Sequence, residues 1–250
     1  MCRLLGLVSR TTAPLTEHLA DYLKPFAAMS SHHCDGWGLT YWNDRDDMIV
    51  AKAPEPAMTS DAFWAAAEGA TTDAALMHLR RASVGMAPVP ENTHPFVVGS
   101  VSFAHNGYFG PTEPFDEMIT RLGGRPSLGV TDSERYFRLV LAGMRVDEPV
   151  VALRAAAERI TATAEKVESL NALMLTSRAL YAFAYADPAA GATRETAAGT
   201  YQMHFRHTAD TVVVASDGWQ AEIDSWEPLA NGSVLEVTRS DLRVTVHRGQ

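Results

Sequence analysis

The chain is poor in cysteine and has no long apolar run. Its 250 residues include two cysteines, Cys2 and Cys34, which are too few for a disulfide framework. No apolar stretch approaches the ~20 residues that a membrane span needs, and no basic segment followed by an apolar one opens the chain. We therefore expect a soluble, cytoplasmic protein with no membrane partner.

Positive charge is also scarce. Lysine and arginine number 21 against 30 acidic residues, so the formal net charge is −9 at pH 7. A surface of this sign repels phosphate backbones, and we expect no nucleic-acid partner. The chain has no internal repeat and no linker rich in proline, glycine or serine, which predicts one domain over residues 1–250. The composition does not indicate an oligomeric state.

The residue pattern changes along the chain. The first half mixes apolar strand patterns with helix patterns over 16–29 and 61–68, and two adjacent helices follow, from Thr131 and over 148–166. After them come six strand-like segments: "NALMLTS", "ALYAFAYA", "YQMHFRH", "TVVVAS", "SVLEVT" and "LRVTVH". The small, polar residues 187–200 predict a mobile excursion between two paired strands. This order predicts an α+β fold with mainly antiparallel sheets covered by helices.

Cys2 directly follows the initiator methionine in "MCRLLG". If Met1 is removed, Cys2 carries both a thiol and the free α-amine of the chain. An α-amine has a pKa of about 7.7–8.0, so near neutral pH part of it is unprotonated and can take the thiol proton, directly or through one water. Cys2 is therefore a candidate nucleophile that carries its own base. The alternative is a small residue that aids translation or packing.

The segment "AHNGYF" has two interpretations. An Asn-Gly pair between apolar stretches is a strong hairpin signal, and it predicts that the strand breaks at Asn106 and Gly107. The functional interpretation is an oxyanion hole, in which the side-chain amide of Asn106 and the N–H of Gly107 stabilise a developing negative oxygen. The two interpretations are compatible.

Charged residues that could bind a zwitterionic substrate occur in "HLRRAS" and "TDSE". A guanidinium grips a carboxylate by two parallel hydrogen bonds. Because neighbours on a strand face opposite ways, at most one of Arg80 and Arg81 points into a given pocket. Asp132 could hold an ammonium group. The alternatives are a solvated basic pair and a helix-start acid that the helix dipole stabilises.

Other polar side chains are weaker candidates. The adjacent residues "HHC" at 32–34 cannot all converge on one ion, so we expect no metal and no other cofactor. We interpret Cys34 as a small buried hydrophobe rather than a second nucleophile. His94 or His105 could form a Cys–His dyad with Cys2, and the alternative for each is a histidine that packs and hydrogen-bonds in the core.

The segments "MCRLLG", "DGWG", "HLRRAS", "NTHPF", "AHNG" and "TDSE", in this order, resemble the class II glutamine amidotransferases. These are N-terminal nucleophile (Ntn) hydrolases whose first mature residue is cysteine. The resemblance covers essentially the whole chain and implies a four-layer αββα sandwich with two mainly antiparallel sheets. The chain departs from the pattern at "SDGW" (216–219), where many members carry Ser-Glu, and at Arg81, where some carry tryptophan.

The resemblance also implies roles for individual residues. Cys2 would attack the γ-amide carbonyl of glutamine, or of a γ-glutamyl compound, to form a γ-glutamyl thioester, with its own amine as the base. Asn106 and Gly107 would form the oxyanion hole. The substrate-binding residues that it implies are Arg80 for the α-carboxylate, Asp132 for the α-ammonium group, and Ser83 and His94 for the wall of the glutamate pocket.

Three functions remain open. The first is a stand-alone amidohydrolase: "RRASVGM" and "DGWG" resemble the enzyme of ergothioneine biosynthesis that removes glutamate from a γ-glutamyl intermediate, whereas "ENTHPF" resembles the general stand-alone group. The second is a glutaminase subunit that supplies ammonia to a separate acceptor enzyme. The third is a non-catalytic regulatory module that binds glutamate. The sequence does not indicate the leaving amine.

Overall fold

The computed structural model describes residues 2–83, 85–188, 201–216 and 225–249. The strands in these ranges are β1 (Arg3–Pro14), β2 (Trp37–Trp42), β3 (Met48–Ala53), β4 (Thr71–Leu79), β5 (Phe96–Val98), β6 (Val101–Gly110), β7 (Lys166–Leu175), β8 (Ala179–Phe183), β9 (Met203–His207), β10 (Thr211–Ser216), β11 (Glu227–Leu229), β12 (Val234–Thr238) and β13 (Val244–His247). The α-helices are α1 (Leu15–His18), α2 (Leu23–Ala28), α3 (Asp61–Gly69), α4 (Glu113–Arg121), α5 (Asp132–Gly143) and α6 (Pro149–Thr163). Within the same ranges, no helix is long and apolar enough to cross a membrane.

The strands form two antiparallel sheets. A seven-stranded sheet has the order β11-β9-β10-β1-β4-β2-β3, and a six-stranded sheet has the order β13-β12-β8-β7-β6-β5. In the first sheet β1 pairs with β10 on one side and with β4 on the other. The strand that follows Cys2 is therefore held on both sides, near the middle of its sheet.

Side chains of alternate β1 residues pack on opposite faces of the first sheet, as the two-residue period of a strand requires. Leu5 and Leu7 belong to an apolar cluster with the helices α1–α3, on the outer face of the first sheet. Leu4 and Val8 belong to a cluster between the two sheets. A third cluster packs α4–α6 on the far side of the second sheet. These interfaces define an αββα sandwich, which confirms the predicted α+β fold.

Gly6 lets β1 lie directly against the second sheet. A Cβ atom at this position would be 2.8 Å from one methyl carbon of Leu180 and 3.2 Å from one of Leu173. Close-packed cores do not tolerate contacts this short, so a side chain here would push the two sheets apart. The glycine therefore keeps the strand that begins near Cys2 close to the sheet that carries Asn106.

Two helix starts follow from local sequence signals. The Ser60 hydroxyl accepts a hydrogen bond from the N–H of Phe63 at 3.1 Å and caps α3. The Thr131 hydroxyl accepts from the N–H of Glu134 at 3.1 Å and caps α5. Both interactions satisfy an amide that has no partner inside the helix. The prediction of one helix over 16–29 was wrong, because α1 and α2 are separate short helices.

Two predictions about strand connections were wrong. The strand does not break at Asn106–Gly107; β6 continues to Gly110, and Asn106 pairs with Asn171 of β7. The turn before β6 instead contains Gly99, whose φ of +58° favours glycine. Residues 187–200 do not connect paired strands, since β8 and β9 belong to different sheets. Residues 189–200 of that segment lie outside the described residues.

Candidate active site

Three of the predicted functional side chains occupy strand positions that face the space between the sheets. Cys2 precedes the inward-facing Leu4 by two residues, and Asn106 follows the inward-facing Ala104 by two. Arg80 comes directly after β4. It lies on the same face of that strand as Ala74 and Leu76, which point into the space between the sheets. Because Arg3 pairs with Leu79, Cys2 and Arg80 lie side by side at the same end of the first sheet.

The Cys2 thiol is buried against the backbone that follows β4. The residue is 9% exposed. Its sulfur accepts the N–H of Arg81 at 3.5 Å and can donate to the Arg81 carbonyl at 3.7 Å. Burial raises the pKa of the Cys2 thiol, while the Arg81 N–H and the Arg80 charge oppose that shift and the Asp132 charge adds to it. The thiol therefore needs a nearby base to become a nucleophile.

Arg80 and Arg81 point in different directions, as strand alternation predicts. Arg80 is 3% exposed, whereas Arg81 is exposed. One guanidinium nitrogen of Arg80 donates to the carbonyls of Asp35 at 3.5 Å and Ala87 at 3.3 Å. Burial lowers the pKa of Arg80, and the neighbouring Cys2 and Asp35 oppose the shift. Arg80 is thus the arginine of the pair that faces the interior.

Asp132 stands at the start of α5 and is 7% exposed. One of its carboxylate oxygens accepts the N–H of Phe109 on β6 at 3.1 Å, and the other accepts the N–H of Ser133 at 2.8 Å. The first bond ties the helix start to the strand that carries Asn106. Asp132 is therefore a helix-start acid, and its charge also reaches Cys2.

Asn106 is fully buried, and neither its amide nitrogen nor its amide oxygen has a hydrogen-bond partner among the described residues. Leaving a buried polar group unpaired costs about 1–3 kcal/mol, and most such groups in proteins are paired. An unpaired amide that faces the same space as Cys2 is what a preformed oxyanion donor requires, because its N–H bond is free for a ligand.

Gly107 is required by packing rather than by a turn. A Cβ atom here would lie 1.9 Å from the carbonyl oxygen of Ser169 on β7 and 2.6 Å from the Nε2 atom of His105. No side chain fits this space, since real Cβ atoms do not approach a backbone oxygen so closely.

We expect Gly107→Ala to destabilise the protein by roughly 1–3 kcal/mol or more, because β6 and β7 must separate to admit the methyl group. Urea denaturation followed by circular dichroism would measure the loss. Gly69→Ala is the matched control, since a Cβ atom at Gly69 has nothing within 4 Å. Equal stability of the two variants would contradict the packing argument.

Neither candidate histidine forms a dyad with Cys2. The Nδ1 atom of His105 lies 2.9 Å from the Ser133 hydroxyl, and its Nε2 atom lies 3.0 Å from the Ser169 carbonyl. The ring of His94 stacks on that of His78 at 4.1 Å, and neither of its nitrogens has a hydrogen-bond partner within the described ranges. His94 is thus a buried residue that packs on His78, and its place in the wall of a glutamate pocket remains a prediction.

Burial lowers the pKa values of His78 and His94 well below their usual range. The unfolded chain therefore takes up protons below about pH 6.5 that the folded chain does not, and the free energy of unfolding should fall as the pH drops through this window. Each histidine contributes at most about 1.4 kcal/mol per pH unit.

Urea titrations between pH 7.5 and pH 5.5 would measure this loss. His94→Asn should make the pH dependence shallower. A free energy of unfolding that stays constant over this range would show that the buried rings take up protons in the folded state.

Two other residues considered in the sequence analysis are exposed. Ser83 is exposed, so its role in a glutamate pocket remains a prediction. Cys34 is exposed as well, and the prediction that it is a buried hydrophobe was wrong. The neighbouring residue His33 is the one that is buried. In the part of the chain that the structure describes, no three metal-ligating side chains converge.

Asp35 was not predicted from the sequence as a site residue, although it begins the "DGWG" motif. One of its carboxylate oxygens accepts the N–H of Ala82 at 2.8 Å, and its own N–H donates to the carbonyl of Arg80 at 3.1 Å. Asp35 thus holds the segment that carries Arg80 and contacts Cys2. The only local sequence signal for Asp35 was that it directly precedes a turn with two closely spaced glycines, Gly36 and Gly38.

The family model "Glutamine amidotransferases class-II" matches residues 1–248 of the chain. The chain belongs to this family. It is an enzyme that acts on amides, and members of the family hydrolyse or transfer the amide of glutamine with a cysteine. The predicted enzyme class is confirmed.

Two solved structures of similar length have the same fold as this class II amidotransferase. A glutamine aminotransferase class-II domain protein from Silicibacter pomeroyi is 19% identical, with a TM-score of 0.70 and 99% of each chain covered. A predicted glutamine amidotransferase from Pseudomonas aeruginosa is 18% identical, with a TM-score of 0.58, and the match covers 97% of this chain and 99% of that one. No curated protein matches the sequence.

A larger enzyme contains the fold as part of its chain. Glutamine phosphoribosylpyrophosphate amidotransferase from B. subtilis is 15% identical, with a TM-score of 0.70 over 99% of this chain. The match covers 49% of the B. subtilis enzyme, so this class II amidotransferase spans about half the length of that relative. At these identities the likeness concerns the fold and leaves the substrate open.

Proposed function

We propose that the enzyme hydrolyses the γ-amide of glutamine, or of a small γ-glutamyl compound, through a thioester on Cys2. The observation that carries this proposal is that Cys2 lies beside the buried Arg80 at one end of the first sheet and faces the same space as the unpaired amide of Asn106. The charges of Arg80 and Asp132 both act on its thiol. A cytoplasmic location remains part of the proposal on the strength of the sequence alone.

The two charges match the two charged groups on the α-carbon of a glutamyl group. Arg80 would bind the α-carboxylate, since a planar guanidinium offers two parallel donors to a carboxylate. Asp132 would bind the α-ammonium group. Ser83 and His94 would complete the wall, with Ser83 reaching the substrate from its exposed position. Binding of both α-groups fixes the substrate, so that the γ-carbonyl carbon lies at a defined distance from the sulfur, and this lowers the entropy cost of attack.

Attack requires that the thiol lose its proton inside a buried site. After removal of Met1 the Cys2 amine takes this proton, and the sulfur forms a bond with the γ-carbonyl carbon. The oxygen becomes negative, and the Asn106 amide and the Gly107 N–H donate hydrogen bonds to it. The C–N bond then breaks, and the departing nitrogen receives the proton that the amine holds.

The thioester is resolved by water. The neutral amine takes a proton from water, the hydroxide oxygen bonds to the carbonyl carbon, and the C–S bond breaks. Glutamate leaves, and the sulfur regains a proton. The same two donors stabilise the second oxyanion. The sequence of steps needs no group beyond the side chains named, the chain amine and water.

A panel of γ-glutamyl amides tests the proposal. The purified enzyme, with Met1 removed as shown by intact mass, should release glutamate from at least one of them and show a covalent adduct of glutamyl mass on the peptide that contains Cys2. Release only after addition of a second protein would instead identify an ammonia-supplying subunit. Glutamate binding without turnover of any panel member would identify a regulatory module.

A further inference from the structure

A basic cavity lies between the end of α4 and the second half of α5. Its volume is about 440 Å³, within the range of small-molecule sites. None of the residues assigned to catalysis lines it. The described lining residues are Val98, Gly123, Gly124, Arg125, Arg138, Leu141, Ala142 and Arg145.

Three of these lining residues are arginines, and none of the described lining residues is acidic. The positive charge of this lining contrasts with the net charge of the whole chain, which is −9. Arg125 and Arg145 are exposed, whereas the side chain of Arg138 is 9% exposed. The Nε atom of Arg138 is buried and has no hydrogen-bond partner among the described residues. A buried donor without a partner is costly unless a ligand satisfies it.

The carboxylate of Glu134 pairs with Arg138 from outside the lining, at 2.9 Å. Arg145 donates to the carbonyl of Gly123, which carries no net charge. Among the described contacts of the three arginines, one carboxylate thus pairs with one guanidinium group, and the cavity lining keeps an excess of positive charge.

We propose that this cavity binds a small phosphorylated molecule. Guanidinium groups recognise phosphate oxygens through paired, charge-assisted hydrogen bonds, and a phosphate brings close to two negative charges to three cations. The apolar side chains of Val98, Leu141 and Ala142 provide a wall for the part of the ligand that carries the phosphate.

The Arg138–Glu134 pair connects this cavity with the start of α5. The Glu134 carboxylate accepts the N–H groups of Leu128 at 2.9 Å and Gly129 at 2.7 Å. This segment leads to Thr131 and Asp132. A phosphate that draws Arg138 away from Glu134 weakens the hold on the segment. The link to substrate binding rests on the proposed function, because it takes Asp132 as the residue that binds the ammonium group.

Titration calorimetry with inorganic pyrophosphate and with AMP tests binding, and it needs no turnover. Each arginine lost should weaken binding by about tenfold or more, since it removes charge-assisted hydrogen bonds to the phosphate. The double variant Arg125→Gln/Arg145→Gln should therefore bind far more weakly than wild type. Arg121→Gln is the control, because Arg121 pairs with Glu117 at the same helix end and does not line the cavity.

Absence of binding to wild type, or equal binding to the double variant, would overturn the site. Tighter binding of malonate than of pyrophosphate would overturn the assignment to phosphate. Hydrogen exchange tests the link separately: pyrophosphate should speed exchange of the Leu128 and Gly129 amides. If pyrophosphate binds without changing their exchange, the link is wrong while the site stands. Both measurements remain valid if the enzyme hydrolyses no γ-glutamyl amide.

Discussion

Replacement of Cys2 by alanine should lower amide hydrolysis by roughly 10⁴-fold or more, because the variant has no sulfur to form the thioester. Glutamate release from glutamine and γ-glutamyl amides, followed by mass spectrometry, measures the loss. The alanine variant should still bind glutamate, since Arg80 and Asp132 are unchanged. Loss of turnover with retained binding separates a chemical role of Cys2 from a structural one.

Cys34→Ala is the matched control for this experiment. Cys34 is exposed, and its sulfur lies 4.0 Å from a carboxylate oxygen of Asp35 on the protein surface. This variant should retain wild-type turnover and remain sensitive to thiol alkylation. Turnover by the Cys2 variant at the wild-type rate would end the proposal. A preparation that keeps Met1 should be as inactive as the alanine variant, because its amine is on another residue.

Asn106→Ala should lower kcat by roughly 10²–10³-fold, the usual cost of removing one oxyanion donor. Its stability should stay the same or rise, because the substitution removes a buried amide that has no partner among the described residues. Loss of activity without loss of stability is the signature of a group that is kept for catalysis. Steady-state kinetics and urea denaturation on the same samples measure both quantities.

Asn171 offers a matched comparison, since it is paired with Asn106 across β6 and β7. Both ends of its amide are hydrogen-bonded: the nitrogen donates to the Tyr201 carbonyl at 2.6 Å, and the oxygen accepts the N–H of Tyr185 at 2.9 Å. Asn171→Ala should therefore lose about 1–3 kcal/mol of stability and keep most of kcat. The reverse pattern in the two variants would show that Asn106 is a structural residue.

The sequence predicted best where the physical cause is local. Ser60 and Thr131 cap helices through amides three residues away, so the signal and its partner share one short segment. The strands β1 and β4 also follow from their own apolar residues. That Arg80 and Arg81 point in different directions follows from strand alternation alone, whereas the choice of Arg80 as the inner residue came from the family resemblance.

Predictions that depend on distant partners were less reliable. Asn106–Gly107 is a strong local turn signal, yet pairing with Asn171 and Leu170 holds it in an extended strand. The stack of His78 on His94 arises only once the sheets have assembled, and no local pattern indicates it. The exposure of Cys34 likewise depends on how the chain turns into β2, which hydropathy does not determine.

The position of β1 has a consequence for the timing of maturation. Val8 of β1 pairs with Val212 of β10, more than two hundred residues later in the chain. Synthesis starts at the amino end and domains fold as units. During synthesis β1 therefore cannot pair with β10 until almost the entire polypeptide has left the ribosome. Under the proposed function, the aminopeptidase that removes Met1 therefore meets an open chain end, and the amine of Cys2 is freed before the fold closes over it.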